Sequence, residues 1–418
     1  MFYFQGYRFD FKNKKLIQTG GLFFKIKPKQ TKIYLDEKLS KETDFLFGSA
    51  LIENLLPKKY NVKVKKEGYF DWEKNLEIRE KEVTEARNIV LFPNDINFSF
   101  LSKGIKDVWL SPDERKMIFK EKKEDIWELK IYDLEKNLKS HLLKESDISS
   151  KGADLFDLEF SRDGKKIYFD TLIEEQLRKK KSFVLEIDKS PPFLKETEKT
   201  LPPLENIITS QQINEEVYYL DNFGYLYKSD SSFSKAEEIT RVPFPLKQET
   251  DYQLYVFSDF VFLIEGGKSL HLLNQETKLF ENFFEGIKSL KISPDFEKIV
   301  YFSNYEIQIF FLKESPKQPK REKGENMFLL RLSEKIKDVF WITPNHLIFS
   351  TENNIKITEI DNRDIINIIQ LAEFSSFIKN HGESTKDRGN LKIFWNSINE
   401  RLYVLAKESL WVSNKLTP

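Results

Sequence analysis

Along most of this chain, short apolar and β-branched runs alternate with turn residues, and beyond residue 100 they recur in a fixed grammar. SPDERKMIFK (Ser111 to Lys120) returns as SRDGKKIYFD (Ser161 to Asp170) and as SPDFEKIVYF (Ser293 to Phe302). Ser111 and Ser161 stand 50 residues apart, a further 50 reaches Gln211 in QQINEEVYYL, and Thr343 in ITPNHLIFST follows Ser293 by 50. Two weaker copies, FSDFVFLIEG from Phe257 and NSINERLYVL from Asn396, complete a set of seven. Internal repeats of this length are the mark of an array of supersecondary units.

Each copy reads as three strands in sequence. An apolar run precedes the turn (KDVWLSP, LFDLEFS, IKSLKISP), a β-branched and aromatic strand follows it (KMIFK, KIYFD, KIVYF), and a third strand comes next (DIWELKIYDL, SFVLEID, EIQIFFLK). The apolar spacing is two rather than 3.6, so a helical bundle is excluded. A fourth strand is visible in most copies, as in MFLLRL (Met327 to Leu332) and INIIQLAE (Ile366 to Glu373). Copy seven runs to Pro418 without one, while INFSFLSK (Ile96 to Lys103) is a strand with no copy of its own. The early strand is therefore expected to complete the last sheet. The prediction for 93–418 is a seven-bladed β-propeller closed by an N-terminal strand, an architecture that leaves only short, protected edges. In the Ser-Pro-Asp turn, Pro presets φ and Asp bonds its own backbone, and Gly164 supplies positive φ in the second copy.

Residues 20–92 do not follow this grammar. GGLFFKIKPKQTKIYLDEKL reads as two strands bending at Pro28, and LLPKKYNVKVKKEGYFDWEKNLEIREKEVTEARNIVLF as three more around Pro57 and Gly68. Tyr60, Val62 and Val64 alternate with Asn61, Lys63 and Lys65, so this strand buries one face. The prediction is a small β-sandwich, which makes the whole chain all-β.

Composition narrows the chemistry. The 418 residues carry 67 basic and 67 acidic side chains, with no basic excess of the kind nucleic-acid binding needs, so no nucleic-acid partner is expected. With no cysteine, disulfides, thiol catalysis and thiolate metal sites are excluded. The four histidines, His141, His271, His346 and His381, show no paired metal-ligand spacing, and no metal or cofactor is expected. Glycine-rich phosphate loops and G-x-S-x-G elbows are absent; FGSAL at Phe47 is read as a loop and DNFGYLY (Asp221 to Tyr227) as a turn. No apolar run reaches the ~18 to 20 residues of a membrane helix. Phe2, Tyr3 and Phe4 ahead of polar residues nevertheless suit the exit of one, so residues 1–19 are read as a juxtamembrane-like segment with a membrane tether expected upstream of residue 1.

The blades, through Ser111-Pro112-Asp113 and Ser293-Pro294-Asp295 and the strands that follow, resemble the TolB-type, WD40-like propeller family over about 320 residues. In the order of GLFFKIKPKQTKIYLDEKL, LLPKKYNVKVKKEGY, Trp72 and NIVLF, residues 20–92 resemble a PEGA domain, chiefly through Pro57, Tyr60 and Gly68-Tyr69. Its naming tetrapeptide stands here as Pro28-Lys29-Gln30-Thr31. The resemblance implies a tethered, non-catalytic, extracytoplasmic module.

The candidate binding residues are Trp109, Trp341 and Trp395, on the first strands of blades one, six and seven, and Asp107 and Asp338, at matching places in IKDVWLSP and IKDVFWITP. The tryptophans offer an aromatic lining for a peptide or glycan, and the aspartates a shared acidic rim. Long loops at Thr171 to Ser182 and Phe374 to Asn390 are expected to crown one face, with the basic insert Lys313 to Asn326 protruding from the other. The functional expectation is a non-enzymatic binding or scaffolding protein of the prokaryotic cell surface that recognises a protein, peptide or cell-wall glycan. A propeller glycosidase or lyase with paired carboxylates, and a purely structural envelope component, are the alternatives.

Overall fold

The computed structural model describes residues 7–10, 14–123, 126–150, 152–161, 163–173, 179–197, 206–373 and 391–418. The aromatic start (Phe2 to Phe4), His381 and the Phe374 to Asn390 loop lie outside them. The described chain forms two compact units: one holds Met1–Ile96, Asn206–Thr385 and Leu416–Pro418, the other Asn97–Glu205 and Lys386–Lys415.

Among the described residues from Phe98 onward, seven four-stranded antiparallel sheets confirm the all-β propeller class. In the second unit these are blade 1 (strands within 105–144), blade 2 (153–197) and blade 7 (392–413). The first unit carries blade 3 (207–238), blade 4 (252–285), blade 5 (289–331) and blade 6 (336–373).

The repeated turn has one geometry. In blade 1 the Ser111 hydroxyl donates to Asp113 at 2.6 Å and accepts from Lys116 N at 2.9 Å, while Arg115 N donates to Asp113 at 3.1 Å. Ser161 and Asp163 repeat these bonds in blade 2, as do Ser293 and Asp295 in blade 5. Its fourth position takes positive φ each time, at Glu114 (54°), Gly164 (65°) and Phe296 (57°). Glycine is the residue that meets this demand without strain. The two departures from it are tolerated because the serine and aspartate bonds hold the turn.

Second strands differ from the simple alternation expected. Lys298–Phe302 and His346–Thr351 are buried at every position. In blade 5, Val300 and Phe302 pack towards blade 6 while Ile299 and Tyr301 pack towards blade 4, so the apolar run becomes continuous rather than alternating. Val108, Met117 and Phe119 of blade 1 thus meet Tyr403, Leu405 and Leu410 of blade 7, while Phe262 and Leu270 of blade 4 meet Leu290 and Tyr301 of blade 5.

The N-terminal region contains a hairpin of β1 (Tyr7–Asp10) and β2 (Lys15–Gln18), then β3 (Gly20–Lys27), β4 (Lys32–Leu35), β5 (Lys38–Glu42), β6 (Ser49–Leu55), β7 (Lys59–Lys65), β8 (Trp72–Glu77) and β9 (Val83–Val90). Strands β3 to β9 form a sandwich of two sheets, ordered β6-β3-β9 and β5-β4-β7-β8, with β3 and β9 parallel. Leu22, Phe24 and Ile26 of β3 and Val62 and Val64 of β7 fill its core. Seven strands replace the five expected. The pattern hid β5 because all five of its residues are exposed on an edge, leaving no apolar phase to read. FGSAL, read as a loop, runs into β6 at Ser49.

Strand β10 (Phe98–Lys103) pairs with Ser409–Ser413 and completes blade 7, as the unpaired early strand required. It is tied to blade 1 by buried Glu121, which accepts from Ser102 Oγ at 3.2 Å, from Lys139 at 3.2 Å and from Lys130. Burial works against this carboxylate, but the two lysines prevail and hold its pKa at about 2.

Ser293 is buried and its hydroxyl closes the blade 5 turn. Ser293→Ala is expected to destabilise the chain by about 1 to 2 kcal/mol in denaturant titration, because the loss strands a buried amide. An unchanged midpoint would show that the turn forms without the hydroxyl.

Candidate binding cleft

Strand β8 buries alternate residues, Trp72, Lys74 and Leu76. A lysine on that face needs a carboxylate, and blade 6 supplies it. Lys74 Nζ lies 2.7 Å from Glu359 and donates to the Asp361 carbonyl at 2.6 Å. The indole Nε1 of Trp72 donates to Glu359 Oε2 at 2.9 Å, and Asn367 donates its N and Nδ2 to Oε1 at 3.0 and 2.7 Å. A buried ion pair is tolerable only when its remaining hydrogen-bonding capacity is filled in this way.

Around this pair the blade 6 segment Asp361 to Asn367 grips the sandwich. Arg363 donates Nη2 to Asp361 at 2.6 Å and Nη1 to the Glu85 carbonyl at 2.9 Å. Burial raises the Asp361 carboxyl, but Arg363 and the Lys74 charge outweigh it and leave the group below its usual range. Asp364 accepts from both nitrogens of Asn75, at 3.0 and 3.1 Å.

The basic insert Lys313 to Asn326 packs against the sandwich rather than standing free in solvent. Strand β9 is an edge of its sheet, with backbone groups open to pairing. The Gln318 side-chain amide covers them as a peptide group would, accepting from Glu85 N at 3.0 Å and donating to the Val83 carbonyl at 3.2 Å. Arg321 donates to Glu325 at 2.7 Å and to Asn362.

These elements enclose an open cleft of ≈ 220 Å³, walled by β9 from Ala86 to Ile89, the insert, the blade 5 turn and blade 6. Four of its cations are committed to ion pairs: Arg87 to Glu85, Lys298 to Asp295, Arg321 to Glu325 and Arg363 to Asp361. Exposed Lys313 and Lys317 on the insert make no ion pair among the described residues, nor does the lining carboxylate of Glu297. The free charge at the mouth is therefore two cations against one anion, which favours a ligand carrying an acidic group.

None of the five residues singled out in the sequence lines this cleft. Trp109 packs half-buried against the core shared by blades 1 and 2. Trp341 is buried and donates to the Lys291 carbonyl of blade 5 at 3.0 Å; Trp395 is buried with its Nε1 unpartnered. Asp107 accepts from Lys392 at 2.7 Å and Asp338 from Lys291 at 2.5 Å, each lysine standing on the first strand of the preceding blade. Thr171 to Ser182 is mostly strand, the second strand reaching Ile173 and the third starting at Lys179, and 174–178 lie outside the described residues. Sequence reasoning passed over Lys74, Glu359, Asp361 and Arg363. Lys74 carried a signal, a charge in phase with Trp72 and Leu76; its partners 285 and more residues away carried none.

The fold is an all-β propeller bearing a β-sandwich. No family model matches the chain, and no curated protein matches it. Among solved structures it is similar to YCF48 bound to D1 peptide, with 12% identity over 77% of this chain and 95% of that one and a TM-score of 0.40. It is also similar to Chaetomium thermophilum Raptor (9%, 78% of this chain and 29% of that one, TM-score 0.45) and to YCF48 from Cyanidioschyzon merolae (11%, 77% and 98%, TM-score 0.42).

Removing Lys74 leaves Glu359 buried without a cation. Lys74→Met is expected to cost about 3 to 5 kcal/mol in denaturant titration, and adding Glu359→Gln is expected to recover much of it. A single-variant loss below about 1 kcal/mol would show the pair to be solvated.

His346, on blade 6, packs edge-on against Phe92 with ring centroids 5.4 Å apart. Burial pushes its pKa down to about 3. The unfolded histidine takes up its proton near pH 6.5, so the contribution to stability is complete above that pH. It is lost as pH falls from 6.5 towards 3, at up to about 1.4 kcal/mol per pH unit. His346→Leu should flatten the stability profile between pH 6.5 and 5 relative to the parent chain; parallel profiles would contradict this assignment.

Proposed function

We propose that this chain is a non-enzymatic recognition and scaffolding protein of a prokaryotic cell envelope, in which a PEGA-like sandwich and the propeller blades jointly present a protein- or peptide-binding cleft. The observation that carries the reading is the pairing pattern of the cleft. Its buried charges are spent on holding the frame, while Lys313 and Lys317 stand exposed at the mouth with no ion pair. Such a site binds through charge and hydrogen bonds without having to reorganise.

Two further observations favour a peptide over a glycan and binding over catalysis. Sugar rings stack on exposed aromatic faces, and Trp341 and Trp395 are buried. The two carboxylates singled out in the sequence, Asp107 and Asp338, are each paired with a lysine rather than with each other. The envelope location is supported by the PEGA resemblance of residues 20–92.

The test is a titration of the full chain and its Lys313→Glu/Lys317→Glu variant against an array of short peptides with and without Asp and Glu. Acidic peptides are expected to bind the parent chain and to lose at least tenfold in affinity on the variant, with a stronger salt dependence for the parent. Equal binding to both proteins would remove the cleft from consideration.

A further inference from the structure

A second surface feature lies on the sandwich, outside the lining of the cleft. Between β5 and β6 the chain projects Phe45, Leu46 and Phe47, which are 67%, 57% and 72% exposed. Three consecutive large apolar side chains held in water are costly unless something covers them.

This finger is built rather than loose. Asp44 at its base accepts from Leu46 N at 2.9 Å, Phe47 N at 2.5 Å, Ser49 N at 2.8 Å and Ser49 Oγ at 2.5 Å. Gly48 closes it with φ +66°, donating to the Asp44 carbonyl and accepting from Ile26 N at 2.8 Å. A Cβ there would lie 2.4 Å from the Ile26 carbonyl oxygen, so the position requires glycine. On the β5 side, Thr43 and Thr31 exchange backbone and hydroxyl bonds of 2.9 Å.

Around the base stands a collar of lysines. The Lys29 stem lies beside Gly48, and Lys66 donates to the Lys29 carbonyl at 2.5 Å. Lys41 leads into the finger and donates to the Leu51 carbonyl at 2.7 Å, and Lys25 is the register partner of Ser49. Asp44 is occupied by its four hydrogen bonds, and Glu42, the next carboxylate, stands opposite Lys32.

We propose that the Phe45-Leu46-Phe47 finger inserts into the interface of an anionic lipid bilayer. An apolar, convex tip with cations behind it matches that surface: the rings reach the acyl boundary while the lysines stay among the headgroups. The lysine stems extend this match, since their methylenes rest on apolar surface with the ammonium in water.

The chain has no cysteine, so Phe47→Cys provides a unique site for an environment-sensitive fluorophore. The labelled full chain is mixed with vesicles of phosphatidylglycerol and phosphatidylcholine, or of phosphatidylcholine alone, with Ile365→Cys on blade 6 as the exposed control. The expected result is a blue shift at position 47 with anionic vesicles, reversed by high salt, and none at position 365. In vesicle sedimentation, Phe45→Ser/Leu46→Ser/Phe47→Ser and Lys29→Glu/Lys41→Glu should each reduce partitioning at least tenfold while leaving the thermal midpoint unchanged. Absence of a shift, or equal sedimentation of the serine variant, overturns the proposal. A vesicle-independent shift that tracks protein concentration also overturns it, by assigning the finger to contact between copies of the chain.

Discussion

The attachment of the sandwich to blade 6 depends on one buried ion pair, Lys74 with Glu359. Taking both charges out of water is expensive, and the arrangement persists because Trp72 and Asn367 fill the remaining acceptor capacity of the carboxylate. Such a pair works as a specificity device. An apolar patch would allow the sandwich to slide, whereas a buried lysine accepts one position. The Asp361 to Asn367 segment and the Gln318 amide then have defined partners on β8 and β9, and the cleft acquires fixed walls.

Within blades 1, 2 and 5 the constraint is different and local. A serine hydroxyl and an aspartate carboxylate hold the turn, and the positive φ that follows is met by Gly164 or imposed on Glu114 and Phe296. Contacts with blades 4 and 6 then bury the second strand of blade 5 on both faces. Lysines bridging from one first strand to the next, Lys291 to Asp338 and Lys392 to Asp107, join neighbouring blades with polar links.

Against this committed interior, the uncommitted groups stand out. The two lysines at the cleft mouth make no ion pair among the described residues, and the Phe45-Leu46-Phe47 finger stands exposed on a hydrogen-bonded base. They lie on different elements, and the partners proposed for them differ accordingly: a solvated acidic segment for one and a lipid interface for the other.

Local turn chemistry and period-two patterning made the blades legible: SPDERKMIFK, SRDGKKIYFD and SPDFEKIVYF encode their hairpins in adjacent residues, and the spare strand at Phe98 announced its place by default. The β7 alternation of Tyr60, Val62 and Val64 was likewise readable, since a half-buried strand writes its burial in its own sequence. The edge strand β5 was not, because no face of it is buried. Nor was the site. Trp341 looks the same in sequence whether it lines a surface or fills a seam between blades, and Lys74 and Glu359 are joined only by folding across 285 residues. Periodicity reports which face of an element is buried; which distant charge meets which, and what stays exposed once all have paired, is decided by tertiary packing alone.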